Sequence, residues 1–264
     1  MGRGLNIAWY KGRMRMRKIW ILAIMGVILG GAALVEIWLS ISYPLVEYRP
    51  SQLPNLKGLQ REYGYFRLGE RVGNYTFWVE DGEEKAGGFV YSSGSRTSVV
   101  ADGTDIELVT LYSLDEFLSP VEYRLNATLG EERQYIEDLF SAGEVVATSR
   151  VENSSAEVTK DLPDNTLLLD SYMPGHWELL FRVFTPARGK RFRINAFIPQ
   201  MMDLARLEIV VDKKPKTLLL DDTPCECTVA RVPDLNLVFH IYGGDLVLME
   251  DTGREIKISD TRVS

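Results

Sequence analysis

The stretch Val121-Glu-Tyr-Arg-Leu-Asn-Ala-Thr-Leu129 decides the fold class. Its apolar residues stand at every second position, and polar or charged residues fill the positions between them. Because side chains alternate between the two faces of a β-strand, the pattern predicts a strand with one buried and one solvated face. Strands of this kind are typical of antiparallel sheets. The sequence therefore predicts an all-β domain.

Similar segments recur on both sides of this strand, separated by turn sequences such as Asp81-Gly82, Asp102-Gly103 and Gly243-Gly244. About ten strands at short spacing predict a single antiparallel sheet, curved or closed halfway into a barrel. The other predicted strands are residues 74–80, 89–91, 105–112, 144–150, 191–198, 207–212, 225–231, 235–242, 245–250 and 255–259.

One short helix is predicted at residues 172–184. Pro174 and Gly175 open the segment, and Trp177, Phe181 and Phe184 follow at helix-like spacing. A helix with one apolar face would lie across one face of the sheet.

Residues 19–43 predict one transmembrane helix in front of the β domain. Their only charge is Glu36, and as a helix they would rise roughly 36 Å, enough for a hydrocarbon core of about 30 Å. Trp20 and Trp38 lie near the two ends, as membrane-interface aromatics do. A cleaved signal peptide is the alternative, but the apolar run is long for one.

The flanks of this segment predict its orientation. Residues 1–18 carry six basic residues and no acid, so the positive-inside rule places the N-terminus in the cytoplasm. Residues 44–58 contain three prolines and predict an extended spacer. Residues 59–264 then form the extracytoplasmic domain of a single-pass protein of the cell membrane.

Charge and composition exclude several classes of protein. With 264 residues, of which 45% are hydrophobic, the chain can bury a substantial core and is not disordered. The net charge is −7, and beyond the basic tail and the apolar run 24 basic residues face 36 acidic ones. A surface so acidic argues against a nucleic-acid partner. Three glycosylation sequons, at Asn74, Asn126 and Asn153, fit an exported domain.

Motifs for catalysis are absent from the sequence: there is no nucleophile elbow, phosphate loop, dinucleotide fingerprint or zinc signature. No enzyme activity, cofactor or metal is therefore expected. His176 and His240 are interpreted as packed or rim residues. Cys225 and Cys227 share one face of a strand and are interpreted as small core residues. A redox pair or a thiolate metal site stays the alternative.

Residues 179–202 differ from their acidic surroundings, because they hold five basic residues, interleaved aromatics and no acid. This pattern predicts a rim that meets anionic lipid headgroups or an amphiphilic ligand. Alternatively, the segment is a hairpin whose basic face pairs with neighbouring acidic strands. The predicted ligand-binding residues are Phe181, Arg182, Phe184, Arg188, Arg191 and Arg193.

Three stretches carry a family resemblance: Phe117-Leu-Ser-Pro-Val-Glu-Tyr123, Leu162-Pro-Asp-Asn-Thr-Leu-Leu-Leu-Asp170, and Asp245-Leu-Val-Leu-Met-Glu-Asp-Thr-Gly-Arg-Glu-Ile256. With the strand order, they resemble exported half-barrel proteins related in architecture to the lipoprotein-localisation carriers LolA and LolB. The resemblance implies one antiparallel sheet curved around an apolar cavity that a helix closes. Those carriers are soluble or lipid-anchored, whereas a membrane helix would prevent this chain from acting as a shuttle.

Three functional hypotheses follow. The first is a non-catalytic, membrane-anchored domain that binds membrane lipid or another hydrophobic ligand. The alternative is a structural or assembly protein of the cell envelope that works through protein contacts, including a homodimer through Gly26 and Gly30 of the membrane helix. An enzyme would have to use Cys225, Cys227 and His240. An apolar cavity of about 300 Å³ or more would favour the first hypothesis, and a packed interior the second.

Overall fold

The computed structural model describes residues 42–48, 56, 58–80, 82–85, 88–152, 154–170 and 173–263. The chain divides into two compact units, Met1–Pro44 and Leu45–Ser264, and all the strands described below belong to the second. The predicted basic tail, and the predicted membrane helix up to residue 41, lie outside the described residues. Within the described residues, no helix has the length and apolarity needed to cross a membrane.

The described residues confirm an all-β domain with one α-helix, α1 (Pro174–Val183), and two short 3-10 helices, Pro199–Met201 and Pro233–Leu235. They form eighteen strands. These are β1 (Leu45–Glu47), β2 (Gln60–Arg67), β3 (Glu70–Val79), β4 (Glu83–Lys85), β5 (Gly88–Ala101), β6 (Thr104–Asp115), β7 (Pro120–Leu129), β8 (Glu132–Ser141), β9 (Glu144–Val151), β10 (Ser154–Asp161), β11 (Thr166–Leu168), β12 (Arg191–Ile198), β13 (Asp203–Val211), β14 (Lys216–Leu220), β15 (Thr223–Val232), β16 (Leu237–Tyr242), β17 (Asp245–Asp251) and β18 (Ile256–Asp260).

The strands form one open, curved sheet. Antiparallel pairs run in the order β12, β13, β15, β16, β17, β18, β2, β3, β5, β6, β7, β8, β9 and β10. The short strands β4 and β14 pair with β5 and β15. Strands β1 and β11 lie end to end along β12 and are parallel to it. Two side-chain contacts connect the two ends of this open sheet. The Lys160 ammonium of β10 lies 3.0 Å from the Asp203 carboxylate of β13, and Phe140 of β8 packs edge-on against Phe197 of β12.

The prediction of about ten strands is wrong, although every segment predicted as a strand overlaps one in the structure. The missed strands lack the alternating pattern. Strand β10, for example, is exposed or half-exposed at all eight positions and so has no apolar face to detect. Several turns are also closed by residues that are poor turn signals: Leu68, Ala142 and Glu152 all adopt positive φ angles, near 50°.

The sheet begins earlier in the chain than the sequence pattern indicated. Residues 45–47 fall within the predicted spacer, yet they form β1 and pair with Arg191–Arg193 of β12. Pairing satisfies backbone groups that the edge of β12 would otherwise expose. The described domain therefore starts at Leu45 and not near residue 59, while residues 49–55 and 57 of the predicted spacer lie outside the described residues.

The predicted short helix is confirmed, and it lies on the concave side of the sheet. Nine of its ten residues are buried, and the Trp177 and Phe181 rings lie 4.5 and 5.2 Å from the Phe239 ring of β16. Pro174 stands in the first turn, where a missing N–H costs nothing. Gly175 is required by close packing, because a Cβ there would lie 2.5 Å from a ring carbon of Phe77.

Helix α1 fills the space that the curved sheet encloses. The pocket between the helix and the leucines of β6 and β11 has a volume of about 10 Å³, close to the minimum for a single water molecule. Leu114, Leu168, Leu179 and Leu180 line it. Among the described residues, no lipid-sized apolar cavity is therefore enclosed between this helix and strands β6 and β11. A separate open cleft of about 370 Å³ lies at the C-terminal end of the helix, where Phe181, Arg182 and Ile241 line it.

Candidate functional site

The two predicted aromatic ligand-binding residues belong to the core. Phe181 is fully buried, and Phe184 packs edge-on against both Tyr48 and Phe192 at ring distances of 5.3 and 4.4 Å. Their role in the structure is to hold α1 against the sheet.

Arg182 lies in a network of four charged side chains between α1 and the sheet. Its Nε donates to the buried Glu178 at 2.8 Å, and its Nη2 lies 2.5 Å from Asp245 at the start of β17. Arg61 of β2 pairs with the same Asp245 and lies 3.7 Å from Glu178. The Glu178 carboxylate also accepts the backbone N–H of Leu246 at 2.5 Å and the Tyr63 hydroxyl at 3.4 Å. Each charge thus has an opposite neighbour, and the network fixes the position of the helix.

The remaining predicted site residues lie along β12 and the turn before it. Arg191 is buried, and its guanidinium lies 3.1 Å from Glu208 of β13; Arg193 is exposed and lies 3.4 Å from the same carboxylate. This pairing is what the alternative interpretation of the basic segment expects. Arg188 is exposed. The structure therefore distributes the six residues among the core, an ion network, the turn before β12 and the outer face of β12. Phe181 and Arg182 together line a cleft of about 370 Å³, but the six do not share one surface.

A buried polar cluster that sequence analysis missed lies inside the sheet near the Pro199–Met201 turn. The Tyr123 hydroxyl donates to Asp170 at 3.0 Å, and the Gln200 amide donates to the same carboxylate. Burial raises the pKa of Asp170 to about 6, although both hydrogen bonds oppose the rise. The sequence signal that could have identified Asp170 is its position directly after the apolar run Leu167-Leu-Leu169.

His176 belongs to the same cluster. Its Nδ1 accepts the backbone N–H of Asp170 at 3.0 Å, and its ring packs edge-on against Tyr112 at 4.2 Å. Burial lowers its pKa to about 3, so the imidazole is neutral and carries its proton on Nε2. Nε2 has no hydrogen-bond partner among the described residues. A neutral, enclosed imidazole agrees with the prediction of a packed residue.

Asp138 is the most unusual member of the cluster. It lies opposite Tyr123 in the β7–β8 register, is fully buried, and neither carboxylate oxygen finds a hydrogen-bond partner among the described residues. Burial, helped by the charge of Glu137, raises its pKa to about 8. The group is therefore protonated at neutral pH and carries no charge that could bind a cation.

Gln200 connects this cluster to the protein surface. Its side chain lines a cleft of about 510 Å³ between the two 3-10 helices, together with Met201, Asp234, Leu235 and Arg254. Its amide at the same time covers Asp170 and Tyr123. The Asp170 carboxyl group consequently lies behind Gln200, and a ligand in the cleft would meet the amide before it met this group. Asp234 and Asp251 line the cleft directly.

A second cleft, of about 360 Å³, lies where β1 meets β12 and β13. Its charged residues are Glu47, Asp164, Arg193 and Arg206, and the amides of Asn165 and Asn195 add hydrogen-bonding groups. Of the six predicted ligand-binding residues, Arg193 lines it. The lining therefore carries charges of both signs.

The cysteines lie away from these clefts, on the outer face of the sheet. Cys225 and Cys227 are buried free thiols in a small apolar cluster with Leu220 and Val247, as expected for core residues. Burial raises the pKa of the Cys227 thiol, which disfavours the reactive thiolate. His240 is held separately by Glu250 at 3.0 Å. Within the described residues, no group of three His, Cys, Asp or Glu side chains could hold a metal ion.

Two of the three sequons are accessible. Asn74 and Asn126 are exposed on β3 and β7, whereas Asn153 lies outside the described residues.

Comparison with known proteins adds information about the fold. No protein-family model matches the chain, and no curated protein matches it. Among solved structures, a β-barrel-like protein of the domain of unknown function DUF1849 from Brucella abortus is similar, with a TM-score of 0.52 at 12% sequence identity. The match covers 80% of this chain and 98% of that one.

A protein with a YmcC-like fold from Bacteroides fragilis also matches, over 82% of this chain and all of its own length, with a TM-score of 0.31 at 8% identity. That likeness is too weak to support a conclusion. The first likeness shows a shared β-barrel-like fold and nothing about activity. The narrower resemblance to LolA and LolB stays a prediction.

Proposed function

We propose that the protein is a membrane-tethered, extracytoplasmic assembly protein of the cell envelope that works through protein contacts and has no catalytic role. The observation that carries the proposal is the position of α1. Nine of the ten residues of α1 are buried against the concave face of the sheet. The helix therefore occupies this face as part of the folded core.

The filled interior favours this role over that of a lipid carrier. Sites for small hydrophobic ligands are mostly apolar and have volumes of about 300–1,000 Å³. The apolar pocket between α1, β6 and β11 has about 10 Å³. The cleft of about 370 Å³ at the end of α1 is open and is lined partly by polar residues, among them Arg182, Thr185 and Thr228. We therefore place the surface that binds a partner protein on the outer face and at the edges of the sheet.

Strand β10 offers the longest edge for such contacts. It pairs with β9 over residues 154–161, and no strand among the described residues pairs with its other edge. The ion pair between Lys160 and Asp203 holds its C-terminal end, so the accessible part is residues 154–158. An extended segment of a partner protein could add to this edge, because unpaired backbone groups are a template for another strand.

Photocrosslinking in intact membranes tests the proposal. A photoreactive residue replaces Glu157 of β10 in the full-length protein, and in the control it replaces Asp105 of β6, an exposed acid on a strand that is paired on both sides. We expect a discrete protein adduct from position 157 and none from position 105. No adduct at 157, or equal diffuse labelling at both positions, would contradict the proposal, and an adduct at twice the chain mass would identify a second copy as the partner.

A further inference from the structure

Two free thiols lie close together on the outer face of β15, apart from the main core. Cys225 and Cys227 are two residues apart on a regular strand and share one face, whereas Glu226 between them is exposed. Neither cysteine belongs to the core that surrounds α1; both lie in a small cluster with Leu220 and Val247. The pair therefore does not fill the space that the curved sheet encloses.

The spacing of the two cysteines is too long for an unstrained disulfide but suits a metal ion between the sulfurs. Strand geometry separates their Cβ atoms by roughly 6.8 Å, whereas the Cβ atoms of a disulfide are about 3.8 Å apart. Two metal–sulfur bonds of about 2.3 Å each, the length in zinc thiolates, place the sulfurs about 4.6 Å apart. Two cysteine side chains on one face of a strand can reach this separation without movement of the backbone.

The number of ligands determines which class of metal ion the pair fits. Within the part of the chain that the structure describes, no group of three His, Cys, Asp or Glu side chains could hold a metal ion. Structural zinc almost always takes four ligands, so two thiolates are too few for it. Monovalent copper is a soft ion that thiolates bind selectively, and it also forms linear complexes with only two ligands.

Two polar side chains beside the thiols suit a charged site. Lys216 is exposed and lies opposite Cys227 in the β14–β15 register, and its positive charge acts on the Cys227 sulfur. Two thiolates that hold one monovalent ion carry a single negative charge, which this ammonium group would offset. The Tyr242 hydroxyl is hydrogen-bonded to the Cys225 thiol, and its side chain is 45% exposed. The phenol therefore connects the buried sulfurs to the protein surface.

We propose that Cys225 and Cys227 bind one monovalent copper ion in a linear dithiolate site. Each thiol releases its proton to water, and each sulfur donates an electron pair to the ion; no electron is transferred. The bond to the soft ion takes the place of the proton, so the site needs no free thiolate before the metal arrives. The site lies on β15 and does not depend on the protein contacts proposed for β10.

Copper binding by the full-length protein tests the site. The reduced protein, purified in detergent without oxygen, is titrated with Cu⁺ in competition with a chromogenic Cu⁺ chelator. We expect one high-affinity ion per chain. Cys225→Ser and Cys227→Ser should each lower the affinity by more than about a hundredfold, because each removes a ligand and not only a supporting contact. Lys216→Gln should lower it about tenfold.

Glu226→Gln is the matched control. This exposed residue lies between the two cysteines on the opposite face of β15, so the variant should bind copper as the wild type does. Undiminished binding by the variant with both serine changes would overturn the proposal. Zinc that binds the wild type as tightly as Cu⁺ would also overturn it, because two thiolates alone do not satisfy zinc.

X-ray absorption at the copper edge gives a measurement that does not depend on the folding of any variant. The copper-loaded wild type should show two sulfur neighbours around the metal and no nitrogen or oxygen. Three or more ligands, or a second copper ion nearby, would overturn the linear site. Native mass spectrometry should show the loaded protein as a single chain, and a dimer that forms only with copper would instead place the ion between two chains and contradict the proposal.

Discussion

Asp138 and His176 show how strongly the interior changes individual residues. Both are buried in the cluster near Tyr123, but burial moves their pKa values in opposite directions, to about 8 for the acid and about 3 for the base. Each group is consequently neutral at pH 7, as desolvation requires. The two groups should therefore contribute pH dependences of opposite sign to the free energy of unfolding, in ranges that overlap between about pH 4 and 6.5.

Replacing Asp138 with asparagine should stabilise the protein in alkaline solution. Between about pH 4 and 8 the folded protein keeps a proton on Asp138 that the unfolded chain releases, so the free energy of unfolding falls as pH rises through this interval. Asp138→Asn removes this dependence and should raise the free energy of unfolding by about 2 kcal/mol at pH 8. Urea unfolding from pH 5 to 8 measures the slope. Glu157→Gln, on exposed β10, serves as the control, and an unchanged slope in Asp138→Asn would refute the assignment.

His176 should show the opposite dependence on pH. As pH falls from about 6.5 to 3, the unfolded chain gains a proton that the buried imidazole does not accept, so the free energy of unfolding decreases on acidification. His176→Phe removes the acceptor for the Asp170 N–H and should cost about 1–3 kcal/mol at pH 7. The difference in the free energy of unfolding between His176→Phe and the wild type should be smaller at pH 5 than at pH 7. A constant difference across this range would show that His176 does not titrate as described.

At the scale of elements, patterns predicted the strands whose apolar residues alternate, and missed strands without that alternation, whether exposed as β10 or fully buried as β11. The strand at Val121–Leu129 was identified because its burial alternates from residue to residue. Helix α1 was identified from its Pro-Gly start and the helix-like spacing of its aromatic residues, although nine of its ten residues are buried. Strand β10 was missed because it is held by backbone pairing to β9 and buries little. Backbone hydrogen bonds produce no pattern in the order of side chains, so strands held mainly by such bonds are recognised only in the three-dimensional structure.

Gly175 provides a test in which helix propensity and packing predict opposite signs. Alanine favours helices over glycine by up to about 1 kcal/mol, so sequence alone predicts that Gly175→Ala is stabilising. In the structure the added methyl group would lie 2.5 Å from a Phe77 ring carbon and 2.7 Å from the Tyr75 hydroxyl. We therefore expect a loss of about 1–3 kcal/mol in the free energy of unfolding.

Gly253→Ala is the matched control for this prediction. A methyl group there would have its nearest neighbours at 3.4 Å, an ordinary contact, so the change should stay within about 0.5 kcal/mol. Chemical denaturation of both variants gives the comparison. A neutral or stabilising Gly175→Ala would show that α1 is not packed as closely as described.

At the scale of the whole molecule, the ion network of Arg61, Glu178, Arg182 and Asp245 joins elements that are far apart in the chain. It connects β2, α1 and the start of β17, and its central carboxylate is fully buried. Removing one partner would leave a buried charge partly uncompensated, which costs more than the pair contributes.

Arg182→Met should therefore lower the free energy of unfolding by about 3 kcal/mol. Glu178→Gln combined with Arg182→Met should cost less than the sum of the single changes, because the double variant leaves no uncompensated carboxylate. Arg124→Met, which breaks exposed pairs with Glu122 and Glu137, is the control and should cost less than about 1 kcal/mol. Additive effects of the two changes would contradict a shared network.

The sequence by itself determined the all-β class, the position of the helix and many of the strands, because these depend on which residues a local element buries. Only the tertiary structure decided which side chains meet. It paired Arg182 with Asp245, enclosed Asp138 and Asp170 beside Tyr123, and brought Arg193, Arg206 and Asp164 to one cleft. These contacts join residues remote in the chain, and local periodicity records whether a side chain is buried but not what it is buried against.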